Sequence, residues 1–507
     1  MRIVYASSEA VPFAKTGGLA DVAGGLTGAL AALGHDVTLM LPLYTQVQKK
    51  AALGEFEKIG EADSFWLNMG GKHVTGNFVM MRSKVTNLRV VLVDCPQYYD
   101  RSTLYGDKNQ AYSDNCERYC FFSRAVMEWV KRQPDAVDII HSNDWQTGLI
   151  PALVKLQLRQ DPKFQNTASL YTIHNMNFQG SFWHWDMALT SIDWSHFTWR
   201  EMEFFGQLNL LKTGIIFTEK VSTVSPTYAR EIQTPEFGCG LENALKFRSK
   251  DLTGILNGID HNHWNPGTDK YIPGQYTVDN FSQGKRINKE ALQRKMGFPV
   301  NPDVPLVGMV SRITNQKGFD LIAACHEELF QLPMQFAFLG AGDPYFEELL
   351  HRWTRLYPDK VRNYIGYDEE LAHLIEAGSD LFLMPSQFEP CGLNQLYSMN
   401  YGTLPIVNNT GGLADSVTDL SEKTEIEKTA TGFVFYQYKS QDFMDTMQRA
   451  LDTYRSPIKF QQMIINGMNR DWTWQRSAND YLTVYAQAQQ KLSEPQSYEM
   501  MSAPTGA

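Results

Sequence analysis

Short runs of aliphatic and β-branched residues recur along the chain, each separated from the next by an amphipathic stretch of helix length. In the first half they fall at residues 3–5, 37–41, 88–93, 138–140, 170–173 and 221–224. In the second half they fall at 306–310, 336–339, 363–365, 381–384, 404–407 and 433–435. A run that is apolar at successive positions has no side for water. Alternation with helices therefore predicts parallel strands covered on both faces, an α/β chain of two doubly wound halves. The pattern pauses around Asn257-Gly258-Ile259-Asp260 and stays rich in Gly and Pro to about residue 284. A boundary there predicts a first domain over 1–255 and a second over 256–473. With 507 residues the chain also exceeds what one hydrophobic core usually organises. The polar tail 493–507 is expected to be disordered.

In open parallel sheets, ligands bind beyond the carboxyl ends of the strands, so polar residues just after the apolar runs carry the most information. After the first run comes Lys15-Thr16-Gly17-Gly18, where glycines, a helix start and a lysine suit an anion as well as a plain turn. It is not a Walker A motif. Run 138–140 leads to His141-Ser142-Asn143-Asp144-Trp145, with Asp144 as an acid/base, an orienter of a hydroxyl or a helix cap. Run 170–173 ends at His174, a hydrogen-bonding partner for a substrate hydroxyl or a backbone carbonyl.

In the second half, Arg312 and Lys317 follow one strand in a spacing that suits a diphosphate. Glu389-Pro390-Cys391-Gly392 sets a carboxylate and a glycine before a helical run, with Cys391 read as structural. Thr16-Gly17-Gly18-Leu19-Ala20-Asp21 recurs identically as Thr410-Gly411-Gly412-Leu413-Ala414-Asp415, one copy in each half. The simplest reading is a glycine loop in each of two Rossmann-like domains. Residues 181–200 hold Trp183, Trp185, Trp194 and Trp199, four of the 11 tryptophans. Such density suits a sugar-stacking platform or a packed lid, with packing favoured. His261-Asn262-His263 lacks accompanying Cys or carboxylate ligands at zinc-like spacing, so no metal site is expected.

Composition narrows the class. Net charge is −10 with no basic block, which argues against nucleic acid as a partner. No apolar run is long enough to span a bilayer, and the start lacks the features of a signal peptide. Six scattered cysteines without a CxxC pair fit a soluble, cytoplasmic protein with free thiols.

Taken in order, these motifs, together with Tyr171-Thr172-Ile173-His174-Asn175, Ser225-Pro226-Thr227-Tyr228-Ala229 and Gly340-Ala341-Gly342-Asp343, resemble bacterial glycogen synthases and plant starch synthases from residue 1 to about 482. The resemblance implies a GT-B fold: two Rossmann-like domains facing an interdomain cleft, with C-terminal helices, about 474–492, crossing back to the first. It implies a retaining transfer of glucose from ADP-glucose to the nonreducing end of an α-1,4-glucan acceptor, with no metal and no other cofactor. On that analogy Arg312 and Lys317 hold the diphosphate, assisted by Lys15, Gly17 and Gly18. Asp21, Asn257, Cys391, Gly392 and Leu393 join the donor side, and Tyr367 packs near the adenine. Glu389 and His174 address the donor glucose, while Asp144, Trp145 and Tyr112 lie on the acceptor side. The chain carries Asn394 where many bacterial relatives have Thr. The nearest rival is a GT-B transferase using UDP-glucose or another nucleotide sugar with a small acceptor. A dinucleotide oxidoreductase, suggested by Gly24-Gly25, and an inactive glucan-binding scaffold are further rivals.

Overall fold

The computed structural model describes residues 1–49, 55–107 and 110–493. The predicted tail lies outside them from residue 494 onward. The chain divides into two compact units, Met1–Gly258 joined by the helix Trp474–Ser493, and Ile259–Thr473.

Unit 1 is built on a nine-stranded sheet. Its strands are β1 (Arg2–Ala6), β2 (Asp36–Pro42), β3 (Phe56–Met69), β4 (Lys72–Ser83), β5 (Arg89–Asp94), β6 (Ile139–Asn143), β7 (Ala168–Ile173), β8 (Lys220–Thr223) and β9 (Leu252–Gly254). They lie in the order β9-β8-β7-β6-β1-β2-β5-β4-β3. All neighbours are parallel except the pairs β3–β4 and β4–β5. The six apolar runs of the first half form β1, β2, β5, β6, β7 and β8. The β3–β4 hairpin is an addition that period-2 runs did not reveal. Its turn, Gly70-Gly71, takes φ of 60° and 93°, the left-handed pair that a two-residue hairpin loop needs.

Unit 2 carries β10 (Leu306–Val310), β11 (Gln335–Gly340), β12 (Val361–Ile365), β13 (Leu381–Met384), β14 (Leu404–Asn408) and β15 (Phe433–Phe435). They form one parallel sheet in the order β12-β11-β10-β13-β14-β15. That is the Rossmann order 3-2-1-4-5-6. Along β11, Phe336 and Phe338 pack into one core while Ala337 and Leu339 pack into another. Leu381 and Leu383 alternate with Phe382 and Met384 in the same way. The period-2 alternation thus feeds two separate cores, which is why these strands are apolar at every position.

Each sheet has a point where the strand order reverses. In unit 2 it lies between β10 and β13, and in unit 1 between β1 and β6. Chains leaving adjacent strands diverge there, opening a crevice at the carboxyl ends.

Candidate active site

At the switch point of unit 2, β10 runs into Ser311-Arg312 and β13 into the loop that carries Glu389. The two loops are tied together: the Gln387 N–H donates to the Gln316 carbonyl at 2.9 Å, and Gln316 Nε2 donates to the Phe388 carbonyl at 3.2 Å. Asn394 Nδ2 donates to the last carbonyl of β10, that of Val310, at 2.8 Å. Asn394 therefore pins the strand that leads to Arg312. Lys317 Nζ lies 2.5 Å from Glu389 Oε2, with their side chains 18% and 9% exposed. Ser386 Oγ donates to the same oxygen at 3.0 Å. Arg312 is exposed, with Nη2 donating to Gln316 Oε1 at 3.2 Å. A mostly buried carboxylate, an ammonium on it and an exposed guanidinium one loop away thus share one crevice.

The neighbouring residues frame this group. Cys391 is buried, and the Cys391 and Gly392 carbonyls accept from Gln395 Nε2 at 2.9 and 3.1 Å. Leu393 caps the short helix Asn394–Asn400 and packs on the core. Tyr367 follows Gly366 beyond β12 and is 84% exposed.

The switch point of unit 1 holds the other expected residues. Asp144 follows β6 with φ +53°, a left-handed conformation that is strained for a residue with a side chain. It does not cap the turn after it, contrary to the commonest expectation for an Asp there. Its Oδ1 instead accepts the His174 N–H at 2.7 Å. Burial pushes its carboxyl up to about 7, against the pull of the His174 and Asn175 N–H groups. A carboxyl balanced near neutrality can give or take a proton.

His174 Nε2 lies 3.0 Å from Asn143 Oδ1. The Asn143 amide is oriented by Nδ2 donating to the Ala6 carbonyl at 3.0 Å and by Tyr5 OH donating to Oδ1 at 3.0 Å. An acceptor oxygen facing Nε2 makes Nε2 the protonated nitrogen, leaving Nδ1 as a bare acceptor. Burial pulls the His174 pKa down to about 3, so the ring is neutral at any physiological pH. Fully buried His141 takes no such position: it bonds Tyr485 OH at 2.8 Å and Thr172 Oγ1 at 2.6 Å, fastening the helix Trp474–Ser493 to the sheet.

The glycine loop after β1 contains a residue that sequence reading missed. Glu9, 3% exposed, accepts from the Thr16 N–H (2.5 Å), Thr16 Oγ1 (2.6 Å), the Gly17 N–H (3.2 Å) and Tyr105 OH (2.6 Å). Its carboxylate is what orders the loop, and only the fold brings residues 9, 16 and 105 together. Lys15 Nζ meets Asp21 Oδ1 at 2.7 Å, with Lys15 half exposed. Gly17 has extended backbone, and a Cβ added to it would meet nothing within 4 Å. The protein's own packing does not call for a glycine there.

The second copy of the hexapeptide differs. A Cβ on Gly412 would lie 2.1 Å from the Cys391 carbonyl oxygen, and the Gly412 N–H donates to the Glu389 and Pro390 carbonyls at 3.1 Å each. That copy is a buttress behind the Glu389 loop. The expectation of two equivalent glycine loops is corrected accordingly. Gly24 and Gly25, which prompted the oxidoreductase reading, give way to close packing by Val11 and Trp474.

Tyr112 is half-buried under the Arg101 guanidinium, 4.6 Å from its ring, and shares a hydrogen bond of 2.8 Å with Thr103 Oγ1. Trp145 is 8% exposed, packed against Tyr119 and Phe182. Asn257 is buried, and its Oδ1 accepts no hydrogen bond among the described residues. The four clustered tryptophans are 38–63% exposed, so the favoured reading of a packed lid is overturned. His263, supposed to lack a carboxylate neighbour, has one: Glu369 lies 3.0 Å from its Nε2, and a ligand atom of His373 is within 4.8 Å of both. His373 Nδ1 is engaged by Asp269 at 2.8 Å, and its ring stacks on Trp264 at 3.8 Å.

Known proteins resemble this chain over almost its whole length. Residues 2–247 match the family described as starch synthase catalytic domain, and residues 290–470 match glycosyl transferases group 1. A glycogen synthase of Rhodopirellula baltica is 42% identical over 499 residues, spanning 96% of this chain and 97% of that protein. The chain belongs to the glycogen and starch synthase family. Another glycogen synthase, from Koribacter versatilis, is 42% identical across 97% of this chain and 99% of its own length. Among solved structures, the catalytic domain of starch synthase IV from Arabidopsis thaliana, bound to ADP and acarbose, superposes with a TM-score of 0.87. It is 33% identical and covers 96% of this chain and 99% of its own. A sucrose-phosphate synthase from Thermosynechococcus elongatus, 17% identical with a TM-score of 0.55, shares the fold. The protein is a glucan-elongating glycosyltransferase with a GT-B fold. No helix among the described residues is long and apolar enough to cross a membrane.

Proposed function

We propose that this glycosyltransferase lengthens an α-1,4-glucan at its nonreducing end, using ADP-glucose as donor and retaining anomeric configuration. The observation that carries the reading is the Arg312, Lys317 and Glu389 group at the switch point of unit 2, with a 2.5 Å ion pair at its centre. Departure of a nucleoside diphosphate builds negative charge, which Arg312 takes by paired hydrogen bonds and Lys317 as a point charge. These two cations do the work that a metal does elsewhere, so the proposal includes no metal and no other cofactor. The sugar becomes oxocarbenium-like as the bond breaks, and the Glu389 carboxylate offsets that charge. Retention through a covalent intermediate calls for two carboxylates about 5 Å apart. Within unit 2 one clear carboxylate, Glu389, presents itself among the described residues, which favours attack on the face the diphosphate leaves, with a phosphate oxygen taking the acceptor proton.

In unit 1, the bare Nδ1 of neutral His174 accepts from a sugar hydroxyl, and Lys15 with the open face of Gly17 serves the donor phosphates. Tyr367 covers the adenine, while Asn257 Oδ1 has a hydrogen bond left to accept from the donor. Asp144 and Tyr112 orient the acceptor, with Trp145 packed behind them. The ADP and acarbose bound to the Arabidopsis starch synthase support a nucleotide donor and a glucan acceptor here. Six unbridged thiols support a reducing, cytoplasmic setting.

Two measurements test the reading. Glucose incorporation into glycogen from ADP-glucose should greatly exceed that from UDP-glucose, and equal or faster use of UDP-glucose would refute the donor assignment. Glu389→Gln should cut kcat about 10²–10³-fold while ADP still binds. Near-normal turnover in that variant would remove Glu389 from the reaction.

A further inference from the structure

Three side chains with metal-ligand chemistry meet in unit 2, none of them part of the Arg312, Lys317 and Glu389 group. The helix Glu369–Gly378 sets Glu369 and His373 four residues apart, so both project from one face. The turn after the domain boundary brings His263 to that face, with the His263 and Trp264 N–H groups donating to the Asp260 carbonyl at 3.1 and 2.8 Å. His263 Nε2 lies 3.0 Å from Glu369 Oε1, and one ligand atom from each of the three residues is within 4.8 Å of the other two. His263 stands at the edge of a stack. Its ring centroid is 4.9 Å from that of His373 and 5.6 Å from that of Trp264, at 87° and 89°. Since the His373 and Trp264 rings lie 3.8 Å apart, those distances put His263 beside the rim of the His373 ring and not over its face.

His373 is held as a metal-binding histidine is held. Its side chain is fully buried, and Nδ1 is engaged by Asp269 Oδ2 at 2.8 Å. Asp269 is fixed in turn by Tyr401 OH at 2.6 Å and by the Tyr271 N–H at 2.8 Å. A carboxylate in that position keeps the proton on Nδ1 and leaves Nε2 a bare lone pair, the form in which imidazole binds a metal. Yet Nε2 meets no hydrogen-bond partner among the described residues. A buried polar atom left unpaired is costly, and the ring cannot turn to satisfy it, because Trp264 lies flat on it at 5° and is itself stacked on Tyr397. An ion pair accounts for His263 and Glu369 but leaves this nitrogen unexplained; a shared cation accounts for all three residues. We infer that His263 Nε2, His373 Nε2 and the Glu369 carboxylate bind a zinc ion, with water in the fourth position. Two imidazoles and one carboxylate are a set that zinc accepts, whereas magnesium and calcium ask for oxygen ligands. The His263 and Glu369 side chains are 41% and 43% exposed, so the ion has a way in from solvent. Its role is structural: it clips the turn Asp260–Trp264 to the start of the helix Glu369–Gly378 and carries no step of glucosyl transfer.

The test uses the full chain, stripped with a chelator and dialysed free of it, with zinc chloride as the probe. Isothermal titration calorimetry should show saturable binding of a single Zn²⁺ per chain. Tm should rise by about 5 °C or more once zinc stands a hundredfold above its Kd. His263→Ala and Glu369→Gln change half-exposed side chains that the fold tolerates. Each should weaken zinc about tenfold or more and lose most of the Tm rise. His351→Ala, which removes an exposed histidine from the helix Pro344–Leu356, should bind zinc as the wild type does. Excess Mg²⁺ should not displace the ion. Absence of saturable zinc binding, unchanged affinity in both ligand variants, or an equal loss in His351→Ala would overturn the inference. Displacement by Mg²⁺ would overturn the two-histidine ligand set. Glucose transfer should proceed equally in stripped and zinc-loaded protein; a stripped chain that regains turnover only with zinc would overturn the structural role.

Discussion

The two identical hexapeptides permit one substitution to be made twice in the same local sequence with opposite consequences. In Gly411→Ala, the counterpart of Gly17, the new Cβ would lie 2.0 Å from the Glu389 carbonyl oxygen, 2.9 Å from its carbonyl carbon and 3.3 Å from the Pro390 carbonyl oxygen, on a backbone with φ of +45°. All three are backbone atoms, so no side chain can swing aside and the Glu389–Gly392 loop must move. Overpacking of this kind costs about 1–3 kcal/mol. For a unit the size of Ile259–Thr473 that corresponds to a fall in Tm of about 2–12 °C. Because the displaced loop carries Glu389, kcat should fall as well.

In Gly17→Ala the Cβ meets nothing within 4 Å, and the extended backbone accepts any residue. Stability should change by no more than about 0.5 kcal/mol, or rise slightly as the unfolded chain loses freedom. What changes is the space above the loop, so KM for ADP-glucose should rise several-fold with Tm unmoved. Differential scanning fluorimetry and steady-state kinetics on the two variants decide the matter. Equal Tm losses, or an unchanged Tm in Gly411→Ala, would refute the packing argument. Unaltered donor KM in Gly17→Ala would show that the first copy does not approach the donor.

Asp144 should make stability fall as pH rises. Between pH about 4 and 7 the folded protein keeps a proton on this carboxyl that the unfolded chain has released, so up to about 1.4 kcal/mol is lost per pH unit and the loss is complete above 7. Tm of wild type relative to Asp144→Asn, followed from pH 5 to 8, should drift downward; a constant difference would show an ordinary carboxyl. Lys317→Ala leaves the Glu389 carboxylate without its ammonium in a largely buried place, so kcat should drop and ADP should bind more weakly, with Lys317→Arg only a partial rescue. Activity of the wild type should persist in excess EDTA. Abolition by EDTA with recovery on added Mg²⁺ or Mn²⁺ would overturn the metal-free proposal.

How much of this was legible before folding follows from what kind of interaction places each residue. Apolar runs such as 306–310 and 381–384 declared buried parallel strands because a strand covered on both faces must be apolar at every position. Strand ends could then be read along the chain, which put Arg312, Lys317, Glu389, Asp144 and His174 on the list without coordinates. The Gly70-Gly71 hairpin carried a readable turn signal, yet its strands show little of the strict alternation that would have revealed them. Other features have no local signature at all. Glu9 reaches the glycine loop through hydrogen bonds from Thr16, Gly17 and Tyr105, the last of them 96 residues away. Identical hexapeptides become an open loop and a buttress because their neighbours in space differ, and Glu369 joins His263 from 106 residues away. Exposure of the four clustered tryptophans follows from tertiary packing as well. Local pattern determined which segments are strands and where chemistry begins; long-range packing alone decided protonation, steric room and which faces remain open to solvent.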